Sequence, residues 1–362
     1  MPVIFNYKGT LHPNKPPKGG KTKYKVDISD IGNSYERLDG SDVHLLRPKI
    51  DYLSVVYDVT DKDDQEGIVS NLVGIKKDAG VPYAKDPPKS SNLFKGYEIE
   101  LSLFHEPSGS YIDVQARPTS KKQKKFMRFQ FIPSVLGKEG LSFMKDELTS
   151  IFNDEMAYEK IATQGKVTRV DVACDIINAQ ISELLFRPRK KGKRHAYYSQ
   201  EGALETIYMG VKKKDKNSDL YAYDKALQQE EDEIGQTYQG VVHTRVEFRV
   251  KTQVPIVKLA SLASPLSKLD VFDCVAVAPP EKDHNWWHFV DSCRHRGIDG
   301  ALDILPDGKR KLYKAALNKS LHTMWNPEKL WSYWPDVLKK SGLLDFKKET
   351  SSSGPDCNQL QY

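Results

Sequence analysis

Apolar and polar positions alternate along several short stretches of this chain and recur at helical spacing along others. Residues 50–59 (IDYLSVVYDV) are β-branched and aromatic and predict a strand. Strands are also predicted over 92–104, 111–116 and 126–132, with the basic loop RPTSKKQKK between the last two. Leu141, Met144, Leu148, Ile151 and Phe152 keep the three-and-four spacing of an amphipathic helix over about 138–153. Four more strands are predicted over 166–176, 205–210, 219–224 and 243–251. The basic loop RPRKKGKRH follows the first of these, KKKDKNS joins the second to the third, and LQQEEDE after the third predicts a short helix. From about 256 the spacing turns helical, in SPLSKLDVF, NWWHFVDSCRHRG, LYKAALNKSL and PEKLWSYWPDVLKKSG. Strands and helices segregate along the chain. That predicts an α+β fold, an antiparallel sheet core with helices on one face, plus a mainly helical C-terminal region.

Composition divides the chain further. Residues 1–48 are rich in Pro, Gly and Lys and predict a basic, largely irregular arm, followed by the sheet-bearing segment 49–255 and the helical segment 256–346. The tail 347–362 is polar and predicts disorder. No run approaches the roughly 18 apolar residues of a membrane span, and the N-terminus lacks the apolar core of a secretory signal. Four cysteines stand far apart with no CxxC, which points to a reducing cytoplasm and away from a disulfide framework.

Net charge is only +6, but it is concentrated. From Arg187 to Lys225 there are eleven Lys and Arg against five Asp and Glu, and residues 1–25 hold six lysines and no acid. Lys121, Lys122, Lys124 and Lys125 form a third cluster. Lys190, Lys191, Lys193 and Arg194 in one loop and Lys212, Lys213 and Lys214 in the next are therefore candidate contacts to a polyanion.

The strand TRVDVACDI carries the candidate chemistry. Alternation puts Val170, Val172, Cys174 and Ile176 on a core face, and Arg169, Asp171, Ala173 and Asp175 on the other. The strand HTRVEFRV repeats this pattern, with Thr244, Val246, Phe248 and Val250 opposite Arg245, Glu247 and Arg249. Were the two strands neighbours, Asp171, Asp175 and Glu247 would share a face. Hard oxygen ligands of that kind suit Mg²⁺ or Mn²⁺; ion pairs with Arg169 or Arg245 are the plainer alternative. In Leu-Tyr-Ala-Tyr-Asp-Lys, Tyr221, Tyr223 and Lys225 share a face. A free tyrosine is about 4 kcal/mol short of its phenolate at pH 7, and a neighbouring cation lowers that cost. His284 and His288 stand at an i, i+4 spacing, but the two tryptophans between them favour a packed or base-stacking helix over a metal site.

The ordered set of these pieces resembles the replication initiation factor (Rep_trans) family, the rolling-circle initiators and relaxases of plasmids, integrative elements and filamentous phages. The family's R-x-D-x-x-x-D strand matches Arg169, Asp171 and Asp175, and its T-x-Y-x-G matches Thr206, Tyr208 and Gly210. A serine matches Ser218, the Y-D-K matches Tyr223, Asp224 and Lys225, and R-x-E matches Arg245 and Glu247; the likeness spans about 50–255. Val211 stands where the family has a serine after the glycine, the turn that follows is longer and more basic, and Tyr221 replaces an arginine. The resemblance implies that 49–255 is a nicking and strand-transfer domain. Tyr223 would be the nucleophile, Lys225 its electrostatic partner, and Asp171, Asp175 and Glu247 the ligands of Mg²⁺ or Mn²⁺. Arg169, Tyr221, Arg245 and Arg249 would contact DNA, and Tyr221 remains a rival nucleophile. The implied product is a 5′-phosphotyrosine with a free 3′-OH primer, later rejoined. Implied partners are origin DNA, single-stranded or as an extruded hairpin, a host helicase and polymerase in the bacterial cytoplasm, and a second copy of the chain in a homodimer. A hydrolytic metal-dependent nuclease and a non-catalytic origin-binding regulator are the alternatives.

Overall fold

In a computed structural model of the chain, the structure describes residues 2–6, 23–77, 84–85, 96–119, 125–190, 192–200, 202–211, 219–231, 241–280 and 284–346. The chain opens with β1 (Pro2–Asn6), β2 (Lys23–Asp27), β3 (Ile31–Glu36), β4 (Asp42–Leu46), β5 (Lys49–Tyr57) and the helix α1 (Lys62–Lys77). Then come β6 (Ala84–Lys85), β7 (Tyr97–His105), β8 (Ser110–Pro118), β9 (Met127–Phe131), α2 (Pro133–Phe152) and α3 (Ala157–Gln164). The middle of the chain forms β10 (Lys166–Ile177), β11 (Leu184–Pro188), β12 (Lys193–Tyr198), β13 (Leu204–Val211), β14 (Leu220–Asp224), α4 (Lys225–Glu231) and β15 (His243–Val254). It ends with β16 (Leu269–Asp273), α5 (His284–Asp303), α6 (Asp307–Met324), α7 (Pro327–Trp331) and α8 (Trp334–Ser341).

A large antiparallel sheet dominates, in the order β12-β13-β14-β15-β10-β5-β9-β8-β7-β6, with the β3–β4 hairpin joined to β10. This is the expected α+β class. Its long central strands, β10 and β15, pair from Val167 opposite Val254 to Ile177 opposite His243. Val170, Val172, Cys174 and Ile176 are completely buried, as the alternation requires. They share one core with Leu53, Val55, Phe129 and Val246 and with the apolar stripe of α2, Leu136, Leu141, Met144, Leu148 and Ile151. The predicted helix over 138–153 starts earlier, at Pro133, because proline suits a first turn; Gly137 (φ 62°, ψ −169°) then breaks the helix one turn in.

Several boundaries differ from the sequence pattern. The arm over 1–48 is not irregular throughout. β3 and β4 form a hairpin whose second strand extends the sheet, with Leu45 opposite Ile176. RPRKKGKRH is only partly a loop, since β11 ends at Pro188 and β12 begins at Lys193. In the helical segment, the end of SPLSKLDVF and the Asp273 that follows it form the strand β16, every residue of which is buried. It pairs with β11 in a separate two-stranded sheet. Around this pair lies a second core of Leu185, Phe272, Trp286, Val290, Cys293 and Tyr313, built with α5 and α6. Trp325, Leu330, Trp334 and Leu338 leave that unit and pack into the first core. α1 and α3 have no counterpart in the elements the sequence pattern predicts. The tail 347–362 lies outside the described residues, as does most of the lysine-rich stretch of residues 1–25. Among the described residues no helix is long and apolar enough to cross a membrane.

Candidate active site

The polar face of the central strands gathers the expected residues in register. Asp171 lies opposite Arg249, Ala173 opposite Glu247 and Asp175 opposite Arg245. One strand further, Tyr221 faces Glu247 and Tyr223 faces Arg245. Beyond that, Tyr208 faces Tyr221 and Thr206 faces Tyr223. Residues directly opposite in an antiparallel pair share a face, so one row runs Thr206, Tyr223, Arg245, Asp175 and the next runs Tyr208, Tyr221, Glu247, Ala173.

Glu247 is the hub. Its side chain is buried, and both tyrosine hydroxyls donate to it, Tyr223 Oη to Oε1 at 2.5 Å and Tyr221 Oη to Oε2. Burial, and then the charge of Asp51, raise its pKa, so its carboxylate holds a proton more readily than usual. Burial also pushes both phenols well above the ordinary tyrosine value. Arg245 opposes that shift at Tyr223, and Glu247 adds to it at both. The rings of Tyr208 and Tyr221 stack at 5.6 Å, and those of Tyr221 and Tyr223 at 6.0 Å. A cleft of about 310 Å³ opens over them, lined also by Thr206, Asp224 and Gln228.

The aspartates are held by cations. Arg245 binds Asp175 through Nε at 2.7 Å and Nη2 at 3.1 Å, and reaches Asp51 through Nη1 at 2.9 Å. Lys49 Nζ lies 2.5 Å and His243 Nε2 3.1 Å from Asp175. Burial disfavours the charge on Asp175, but Arg245, Lys49 and His243 outweigh it and hold the carboxyl well below its usual range. Asp171 takes a two-pronged grip from Arg169, whose guanidinium also sits 4.2 Å over the Tyr52 ring. Arg249 lies 3.6 Å from the same carboxylate. Lys225 places its ammonium 5.7 Å from the centre of the Tyr223 ring and hydrogen-bonds Gln228. Burial, then Arg245, lower its pKa, so it gives up a proton more readily than a surface lysine.

These carboxylates fit a divalent ion only in part. Asp171 and Asp175 are four residues apart on one extended strand, roughly 13 Å, while Mg²⁺ holds its oxygens at about 2.1 Å. One ion cannot take both. Glu247 lies diagonally between them, but both its oxygens accept from tyrosine hydroxyls and each aspartate is held by an arginine, so an ion at Glu247 and one aspartate would have to displace those partners. Among the described residues no group of three or more such ligands converges.

The remaining expected contacts are more scattered. Lys190 and Lys193 are exposed. Arg194 turns away from the tyrosine face and donates to the Cys293 carbonyl at 3.1 Å, fastening β12 to α5. Lys191, Lys212, Lys213, Lys214 and Ser218 lie outside the described residues, as do Lys121, Lys122 and Lys124. Trp286 is fully buried against Phe289 and Tyr313, which packs one side of the helix around His284 and His288, while Trp287 is exposed. Sequence reasoning missed Lys49, Asp51, Tyr52 and His243. Asp51 is the extra residue where β5 slips register against β10, with Tyr52 opposite Asp171 and Ile50 opposite Val172. That bulge turns Asp51 towards Arg245. Compared with models of known protein families and with curated proteins, the chain matches none.

Proposed function

We propose that this protein nicks one strand of origin DNA through Tyr223 and so initiates rolling-circle replication, as its ordered motifs suggest. The observation that carries the reading is the pair of tyrosine hydroxyls on one buried carboxylate, at a cleft beside Arg245 and Lys225. A phenol, a base with raised proton affinity and two cations are the parts that attack on a phosphodiester requires.

Tyr223 Oη attacks phosphorus while its proton passes to Glu247 Oε1, 2.5 Å away. The phosphorus–oxygen bond to the 3′ carbon breaks, leaving the 5′-phosphate on the tyrosine. The departing 3′ oxygen takes a proton from Lys225, whose lowered pKa suits it to donate. Arg245 faces Tyr223 across the strands and offsets charge as it builds on the phosphate. Rejoining runs the same steps backwards. Tyr221 shares the carboxylate, but it faces Glu247 in register, not Arg245, and it is the Tyr223 ring that Lys225, at the start of α4, approaches.

Incubation with end-labelled single-stranded origin oligonucleotides, with and without Mn²⁺, tests this. A denaturation-resistant adduct carrying the strand downstream of the nick is expected. Cleavage without an adduct would make the protein a hydrolytic nuclease. Binding without cleavage would make it an origin-binding regulator.

A further inference from the structure

The Lys49–Asp175 ion pair has a second side. A cleft of about 280 Å³ lies there, with Lys49 and Asp175 both in its lining. Pro48, Pro133 and Val337 give it apolar walls, and Ser134, Asp336 and Lys340 give it polar ones. It forms where the end of β4 and the start of β5 meet the first turn of α2 and the helix α8.

This cleft is joined to the tyrosine site by position and by hydrogen bonds. Tyr223, Arg245 and Asp175 are directly opposite one another on three adjacent strands. Two strand spacings separate the first from the last, roughly 10 Å. Ser134 Oγ lies 3.5 Å from Asp51 Oδ1, and Asp51 in turn holds Arg245. A phosphate at Tyr223 therefore puts a flanking nucleotide within reach of the second cleft.

We propose that the second cleft takes one unpaired base next to the scissile phosphate and reads its identity. The inference rests on the nicking reading above and names where that site would draw its sequence specificity. Its volume of about 280 Å³ lies just below the usual range of ligand pockets, roughly 300–1,000 Å³, and suits one base and its sugar. Arg47, Lys49 and Lys340 in its lining are matched by Asp30, Asp175 and Asp336, so the cleft offers no excess positive charge to a phosphate, whereas prolines and a valine offer flat apolar faces to a base. Asp336 can accept from an exocyclic amino group, Lys340 can donate to a ring nitrogen or carbonyl, and Ser134 can do either. Thymine lacks the amino group and is disfavoured. The tyrosine cleft differs in kind, because stacking on aromatic rings tolerates any base.

The test uses the full chain, Mn²⁺ and a set of single-stranded oligonucleotides in which each position near the nick is made abasic in turn. Adduct formation by the parent should drop about 5- to 100-fold at one position flanking the nick. Asp336→Ala on the intact oligonucleotide should fall to the parent's rate on that abasic one, and combining the two changes should cost no more than either alone. Val337→Trp, which fills the cleft, should behave the same way. Asp336 is exposed, so at least this variant is expected to fold. If Asp336→Ala and Val337→Trp keep the parent's full sensitivity at every position, the base is not read here, although nicking stands. If the parent forms no adduct on any oligonucleotide, the nicking reading itself falls, and this inference with it.

Discussion

Two buried arginines in this molecule do the same electrostatic work with opposite consequences. Arg37 bridges Asp273 at 2.6 Å and Glu183 at 2.9 Å, with the Tyr35 hydroxyl also on Asp273. Arg245 bridges Asp175 and Asp51, with the Tyr223 hydroxyl on the neighbouring Glu247. Both sets hold an arginine that bridges two carboxylates, with a tyrosine hydroxyl on one of them in the first set and on a third carboxylate in the second. In the first, Asp273 is closed off by the backbone N–H groups of Val275 at 2.8 Å and Ala276 at 3.3 Å. Fixed partners saturate it, and it ties the β3–β4 hairpin to β16. In the second, the chain of contacts ends on phenols that line a cleft, with Lys225 nearby. A buried ion pair is thus not a site by itself. It becomes a candidate when its last partner is a nucleophile facing open space.

Glu247→Gln tests that difference most severely. The amide keeps the shape but cannot take the Tyr223 proton, so adduct formation should fall by about 10²- to 10⁴-fold, with the melting temperature close to the parent's. A large loss of stability at unchanged adduct yield per folded molecule would place Glu247 with the structural cluster.

Arg37→Met should do the reverse. It leaves the buried Asp273 and the half-buried Glu183 without their cation and should cost about 3–5 kcal/mol, read from denaturant midpoints. Adduct yield per folded molecule should not change. Loss of nicking at full stability would show that the first cluster is part of the site.

Asp175→Asn lies between these extremes, at a cost of about 3 kcal/mol at pH 7. Its cationic neighbours depress the Asp175 pKa against the opposing effect of burial. The ionised carboxylate therefore adds stability above about pH 4, its unfolded value, and that contribution fades as the pH falls through the depressed native value. Urea midpoints of variant and parent should accordingly converge below about pH 4. A gap that stays constant through the acid range would rule out Asp175 as the titrating partner.

Legibility in the sequence follows the same contrast. Strands with one buried and one polar face, β10 and β15, declare themselves by alternation, and with them the shared face of Asp171, Asp175, Arg245 and Glu247. β16 is buried at every position, so it shows no alternation and is indistinguishable from a piece of apolar helix. The β3–β4 hairpin does carry a signal, Asp39-Gly40 between two strand-like runs, with Gly40 at φ 75°. The lysine- and proline-rich residues before it mask that signal. Asp51 could not be placed by alternation, because a bulge reassigns its face. Lys49 and His243, at strand ends, give no pattern at all. The alternative of ion pairs to Arg169 and Arg245 holds for both aspartates, and it coexists with a tyrosine–carboxylate arrangement that the alternation does not reveal.

The smallest effect expected is electrostatic. Lys190 and Lys193 are exposed, just before and at the start of β12. Replacing both with alanine should flatten the dependence of log K on log salt by roughly 0.7–0.9 for each phosphate that is no longer neutralised. It should leave the rate of adduct formation at saturating DNA unchanged. An unchanged slope would turn this strand end away from DNA.

The central claim is that the covalent bond forms on Tyr223. Mapping the protein–DNA adduct by digestion and mass spectrometry of the nucleotide-bearing peptide tests it most directly, with Tyr223→Phe and Tyr221→Phe alongside. The modification should lie on Tyr223, vanish in Tyr223→Phe and persist in Tyr221→Phe. A nucleotide on Tyr221 or Tyr208, or an adduct that survives Tyr223→Phe, would contradict the account.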